Sequence, residues 1–247
     1  MENQEIKKVV KEQYGHIASG CGCHSSCCDE DALSETISKS IGYSDQDLEE
    51  VTEANLGLGC GNPVAMSKIK AGDVVLDLGS GAGLDCFLAS KKVGETGKVI
   101  GVDMTPEMID RAEANVEKYQ YKNIEFKLGD IESLPIDDDS IDVIISNCVI
   151  NLAPDKAKVF VEIKRVLKIG GRAYISDIVL LENLSEEQKN DEYLIASCVG
   201  GAVLKDEYLN LIEKAGLKVN ILSEDKEISK RQYMGIPLES IKIEIIK

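Results

Sequence analysis

Val74-Val-Leu-Asp-Leu-Gly-Ser-Gly-Ala-Gly-Leu84 decides the reading of this chain. Val74 to Leu78 form a short apolar run of the kind a buried strand uses, and the amphipathic stretch opening at Asp85-Cys-Phe-Leu-Ala-Ser reads as a helix. Between them, glycines at 79, 81 and 83 allow a tight turn and a close backbone approach to a ligand. The spacing is GxGxG. A dinucleotide fingerprint, GxGxxG, needs a glycine where Leu84 stands, so a cofactor without a diphosphate fits better. A nicotinamide-binding domain and a turn that merely packs a helix on a strand are the alternatives for this stretch taken alone.

Outward from this turn the pattern repeats. Lys98–Asp103, Ile124–Gly129, Ile141–Asn147 and Arg172–Ile178 are strand-like and mostly separated by amphipathic segments, the βαβ signature of a parallel sheet. Such sheets bind ligands outside the carboxyl ends of their strands. Asp77 opens the glycine turn, Asp103 ends the second strand and Asp130 follows the third. Asp103 is placed to accept hydrogen bonds from two ribose hydroxyls, and Asp130 to read an adenine edge. The ordered set resembles the class I S-adenosylmethionine methyltransferases over roughly residues 71–178. This implies a Rossmann-like α/β fold with a mostly parallel seven-stranded sheet flanked by helices. It also implies a cofactor site built from Asp77, Gly79, Ser80, Gly81, Gly83, Asp103, Met104, Asp130, Ile131 and Asn147, with Asp77 orienting the methionine moiety.

Around this core, residues 1–70 read as a cysteine-bearing N-terminal arm and lid loop, 71–180 as the cofactor-binding core, and 181–247 as a substrate cap with the last strands. Helices are predicted over 5–14, 32–40, 185–198 and 206–215, with an acidic helical stretch around 45–53. Asn55-Leu-Gly-Leu-Gly-Cys-Gly-Asn-Pro63 is expected to be a mobile loop. Strands at 218–223 and 241–246 are expected to close the sheet, and Ser229 to Pro237 offers no recognisable ligand set.

The 247 residues carry a net charge of −16, which disfavours nucleic acid and anionic membranes as partners. No run of 18 apolar residues and no signal-like start is present, so a cytoplasmic chain is expected. In that compartment its eight cysteines point to chemistry or soft-ion binding rather than disulfides.

The cysteines differ in setting. Cys148 ends a sheet strand at the ligand-binding edge, where many methyltransferases acting on amines carry an acidic or Asn-Pro-Pro motif; a thiol there suggests a nucleophile held by sulfur rather than a small buried apolar residue. Cys60 lies between glycines in the loop before the first strand, where a loop folds over a cofactor. Cys198, in Ala-Ser-Cys-Val-Gly-Gly201, is ambiguous taken alone, and Cys86 reads as core. Cys21, Cys23, Cys27 and Cys28, with His24 among them, lack the paired CxxC knuckles of structural zinc and read as soft-ion capture.

The segments around Cys60, Gly83, Asp103, Cys148 and Cys198 together resemble the prokaryotic arsenite methyltransferases over about residues 42–206. This implies that Cys148 and Cys198 bind As(III) and that Cys60 joins the binding or the redox part of the cycle. The implied reaction moves methyl groups from S-adenosylmethionine to arsenite or its thiol conjugates, with an external thiol or a thioredoxin-like reductant as partner. A methyltransferase of an organic small molecule and a thiol-based metalloid-binding protein are the competing readings. The oligomeric state is open.

Overall fold

The computed structural model describes residues 1–20, 30–49 and 51–247. The N-terminal part carries α1 (Asn3–Ala18), α2 (Glu30–Ser40), α3 (Asp45–Glu49) and α4 (Pro63–Met66). Then follow β1 (Val74–Leu78), α5 (Leu84–Val93), β2 (Lys98–Asp103), α6 (Pro106–Tyr119), β3 (Ile124–Leu128), β4 (Ile141–Asn147), α7 (Lys156–Val166) and β5 (Leu167–Leu180). The chain ends with α8 (Glu186–Lys189), α9 (Glu192–Ala196), α10 (Lys205–Lys214), β6 (Lys218–Asp225), α11 (Ile228–Gln232) and β7 (Leu238–Ile246).

The strands form one seven-stranded sheet in the order β3-β2-β1-β4-β5-β7-β6. β7 runs antiparallel to both neighbours and the remaining pairs are parallel. This is the Rossmann-like architecture expected above, and the last two strands complete the sheet. The order reverses at β1, whose neighbours are β2 and β4, so the carboxyl ends of β1 and β4 border the crevice where such sheets bind ligands.

Strand periodicity assigns each residue to a face. Val75 of β1, with Val143 and Ile145 of β4, packs with α5 residues Cys86 and Ala89 and with the N-terminal residues Val10, Tyr43 and Cys60. Leu76, Leu78 and Ile144 point the other way, onto Val159, Phe160 and Ile163 of α7 and Tyr208 and Ile212 of α10. By the same parity Asp77, Asn147 and Ser176 face the N-terminal segments, while Asp177 faces α10. The helices start where capping chemistry allows: Pro106 opens α6 behind Thr105, and the Asp155 side chain accepts from the Lys158 amide to start α7.

Three expectations change. The helical stretch 185–198 is two short helices, because Ser185 and Gln188 form a capping box on the first while the Asp191 side chain caps the second through the Leu194 amide. The loop 55–63 is docked on the sheet rather than free, and Asn62 caps α4 at its end. Residues 228–232 are helical and bring Tyr233 to the crevice. The expected soft-ion capture by Cys21, Cys23, Cys27 and Cys28, with His24, falls outside the described residues. Among the described residues no helix is long and apolar enough to cross a membrane.

On the α10 side, Asp177 is fully buried; it accepts from Asn151 Nδ2 at 2.9 Å and from the Tyr208 hydroxyl at 3.0 Å. Burial pushes the Asp177 carboxyl up to about 6, and its hydrogen bonds work against that rise. Tyr208→Phe removes a donor that matters most when Asp177 is charged. The expected loss, read from urea unfolding, is about 1–3 kcal/mol near pH 8 and smaller near pH 5, where the carboxyl carries its own proton. An equal loss at both pH values would show that the hydroxyl does not serve the carboxylate.

Candidate active site

The crevice between the carboxyl ends of β1 and β4 is a cleft of about 430 Å³. Its floor is the turn from β1 to α5. Gly79 adopts φ 66°, and a Cβ there would meet Val149 Cγ2 at 2.2 Å, so only glycine lets this turn lie against the residue that follows Cys148. The turn is tied to β2: the Gly79 amide donates to the Val102 carbonyl at 2.8 Å and the Gly81 amide to Asp103 Oδ2 at 2.9 Å. Asp103 Oδ1 accepts from the Thr105 amide at 2.9 Å. The carboxylate is thus fixed in orientation, and each oxygen keeps a lone pair for a hydroxyl.

Asp77, Gly79, Ser80, Gly81, Asp103, Met104, Asp130, Ile131 and Asn147 all line the cleft. Gly83 is not among these lining residues: it caps α5 in the left-handed region at φ 97°, and a Cβ there would meet the rings of Phe126 and Phe87. Ser80 Oγ is buried at the cleft without a hydrogen-bond partner among the described residues, an orphaned donor that a polar ligand satisfies. With Asp103 poised for a diol and Asp77 for a cation, the lining fits S-adenosylmethionine.

The acids of the floor are buried. Cys86 is fully buried, not solvent-facing, and its thiol donates to Asp77 Oδ2 at 3.3 Å. Burial, reinforced by the carboxylates of Asp85 and Asp103, pushes Asp77 well above the usual carboxylate range. Asp85 accepts from the Tyr43 hydroxyl at 2.8 Å, and burial pushes it up to about 6 against that hydrogen bond.

Cys148 and Cys198 line the same cleft, though 50 residues separate them in sequence. Cys148 directly follows β4, its amide bonded to the Ser176 carbonyl of β5 at 2.8 Å; the Cys198 thiol donates to the Cys148 carbonyl at 2.7 Å. Both residues hold left-handed backbone, φ 60° and 66°, a conformation that costs a non-glycine residue about 1–2 kcal/mol and concentrates at functional sites. Cys60 is 2% exposed, its Sγ 3.8 Å from Ser176 Oγ. Hydrogen bonding to Cys198 and then to Cys60, with burial, pushes the Cys148 thiol well up. Among the described residues no three His, Cys, Asp or Glu side chains form a ready metal-binding set. Cys148 and Cys198 therefore adjoin without being closed into a ligand cage.

Sequence patterns do not point to three further residues here. Lys7 of α1 bonds Asp130 at 2.6 Å and Glu132 at 2.7 Å, which closes one end of the cleft with the N-terminal helix. Tyr14, also on α1, donates to the Ala196 carbonyl at 3.3 Å beside Cys198, and the Tyr233 hydroxyl lies 4.0 Å from Cys148 Sγ. Burial, then the nearby thiols, pushes both phenols well above their usual range. The only signal available was their place in segments flanking the core, which carries no motif.

Asp85 has a titration consequence. Its unfolded value is near ~3.9, so the native state holds a proton that the unfolded chain has released between about pH 4 and pH 6. The resulting stabilisation is fully present below the unfolded value and is lost as pH rises through about 6. Asp85→Asn cannot titrate. Relative to the wild type it is expected to gain up to about 3 kcal/mol in urea unfolding between pH 4 and pH 7.5, and a pH-independent difference would contradict the assignment.

A methyltransferase-domain family model matches residues 69–216. The arsenite methyltransferase of Halobacterium salinarum is 44% identical over 236 residues, which is 90% of this chain and 60% of that protein. The arsenite methyltransferase of Aquipseudomonas alcaligenes is 38% identical over 233 residues, 91% of this chain and 65% of that protein. The chain thus spans about three fifths of the length of these curated relatives. The crystal structure of an arsenic(III) S-adenosylmethionine methyltransferase from Chlamydomonas reinhardtii superposes with a TM-score of 0.67 at 33% identity, covering 85% of this chain and 73% of that one. The glycine turn, the strand-end acids and this extent of likeness agree, and the chain belongs to the methyltransferase-domain family, in the company of proteins named arsenite methyltransferases.

Proposed function

We propose that this protein transfers methyl groups from S-adenosylmethionine to thiol-bound As(III). The observation that carries the reading is the meeting of Cys148 and Cys198, both in left-handed backbone, in the cleft lined by Asp77 and Asp103. Arsenic(III) is soft and thiophilic, prefers three pyramidal ligands, and keeps a lone pair opposite them. S-adenosylmethionine, when bound, supplies a methyl group already activated as an electrophile. The chain's task is then positioning rather than proton transfer, in keeping with a cleft that no histidine lines among the described residues.

In this reading Ser80, Asp77 and Asp103 hold the cofactor and the thiols hold the arsenic. The first step is a condensation: each S–H gives its proton to an As–OH group, which leaves as water while an As–S bond forms. Attack by the arsenic lone pair on that methyl carbon would form an As–C bond as the C–S bond breaks, with S-adenosylhomocysteine leaving and a formally pentavalent product remaining. Its return to the trivalent state takes two electrons, which two thiols supply on closing to a disulfide. We assign Cys60 to that pair, with an external thiol or thioredoxin-like reductant restoring it by exchange. Arsenite and its thiol conjugates are the proposed substrates.

The test is incubation of the purified protein with S-adenosylmethionine, arsenite and excess thiol, with arsenic species resolved by chromatography and elemental mass detection. Methylated arsenic is expected. Cys148→Ser and Cys198→Ser are each expected to lower the rate by about a hundredfold or more, as a displaced reactant does. Absence of methylated arsenic from a protein that still binds the cofactor would redirect the reading to an organic acceptor. Cys60→Ser acting at the wild-type rate would remove that thiol from both binding and redox roles.

A further inference from the structure

The Asn147 carboxamide is placed on the cofactor cleft, yet its hydrogen bonds go to the protein. Oδ1 accepts from the Cys60 amide at 3.1 Å, and Nδ2 donates to the Gly61 carbonyl at 2.7 Å and to the Tyr43 hydroxyl at 3.0 Å. The amide's orientation is fixed by these partners, since a flip would set oxygen against the Gly61 carbonyl and N–H against the Cys60 N–H. Gly59 makes the approach feasible: it holds φ 128°, and a Cβ there would lie 2.7 Å from Asn147 Nδ2. On the other side the Ser240 hydroxyl of β7 donates to the Cys60 carbonyl at 2.9 Å. Both backbone polar groups of Cys60 are therefore taken by side chains of the sheet.

We infer that Asn147 is a positioning residue that fastens the Cys60 segment to β4, the strand that Cys148 directly follows, so that one cleft side chain sets the distance between the two thiols. The residue types fit the task. A carboxamide is shaped like a peptide group and sets an acceptor and a donor side by side on separate atoms, whereas an ionised carboxylate has no donor and a hydroxyl has one oxygen for both. The same Nδ2 reaches the Tyr43 hydroxyl, whose own bond to Asp85 of α5 does not involve Asn147. A group binding in the cleft beside Asn147 thereby acts on a segment that Cys60 alone would leave out of reach. The catalytic meaning of the clamp rests on the arsenic reading; the clamp itself does not.

The experiment is alkylation of this chain by iodoacetamide, with each cysteine followed by peptide mass mapping. Cys86, fully buried under Asp77, is the internal reference for general loosening. Asn147→Leu keeps the side-chain size and removes all three hydrogen bonds. It is expected to speed Cys60 labelling about tenfold, the consequence of about one net hydrogen bond of local opening, while Cys86 stays at the wild-type rate. Asn147→Asp, a gentler change that sets a carboxylate against the Gly61 carbonyl, is expected to act in the same direction. Unchanged Cys60 labelling in both variants overturns the inference, and so does an equal rise at Cys60 and Cys86, which would make Asn147 an ordinary core residue. Because labelling needs neither arsenic nor cofactor, a chain that fails to methylate arsenic while showing the selective rise keeps the clamp and loses the substrate reading.

Discussion

The site depends on one steric constraint, the contact between two turns on neighbouring strands. Gly79 lies so close to Val149 that no side chain fits between them. One turn carries the glycine backbone that lines the cleft, and the other carries Cys148. In a parallel sheet adjacent strands lie under 5 Å apart, but their loops ordinarily diverge above the sheet. Here the missing Cβ lets them touch, and the thiol comes into the same cleft as the cofactor residues without any long loop to bring it there. Rigid elements hold both, which gives finer positioning than mobile loops do.

The second feature is the concentration of buried acid. Asp77, Asp85 and Asp103 are all under one tenth exposed, at the floor of a protein whose net charge is already −16. Burial raises all three, and their mutual repulsion adds to the rise at Asp77. Such a cluster is uncomfortable when empty of cations and is relieved by one. A sulfonium-bearing ligand with an amino group supplies the missing positive charge, whereas an anionic ligand would compound the repulsion. The same electrostatics that cost the empty fold some stability therefore favour a cationic cofactor.

Much of this was legible in the sequence, and what was legible has a common character. The alternation of apolar runs with amphipathic segments gave the sheet, because strand periodicity is local. Asp77, Asp103 and Asp130 could be placed on one edge because each follows a run of strand residues. Cys148 and Cys198 were brought together by resemblance, and the structure sets them in one cleft. What escaped was long-range. Lys7 and Tyr14 reach the cleft only because α1 packs on α6 and α9, a pairing that no spacing within α1 encodes. Gly83 read as a ligand-binding glycine, and spacing alone could not show that it lies against Phe126 and Phe87 rather than among the residues that line the cleft. The loop 55–63 read as mobile from its glycines, which instead serve close packing; composition shows that a chain lacks side chains, not what fills the space they leave.

The arsenic reading raises the question of how buried thiols would take up that element. Hydrogen bonding among the three, with burial, holds Cys148 protonated, where a nucleophilic thiolate is the usual expectation. For arsenous acid this is no obstacle. Condensation of neutral thiols with a neutral hydroxide complex releases water and creates no net charge, so the pocket never has to stabilise an isolated anion in a low-dielectric setting. A pocket that favoured thiolates would also favour divalent cations such as zinc, whose binding requires deprotonated sulfur. A protonated Cys148 thiol near the phenols of Tyr14 and Tyr233, themselves held protonated, thus discriminates by charge in this reading: it admits an element whose hydroxide takes the thiol proton and leaves as water, and disfavours one whose binding must expel that proton as a free charge. In this reading selectivity for a metalloid over a metal follows from keeping the Cys148 thiol protonated, and the left-handed backbone at Cys148 and Cys198 fixes sulfur positions that ionic attraction would otherwise have to set.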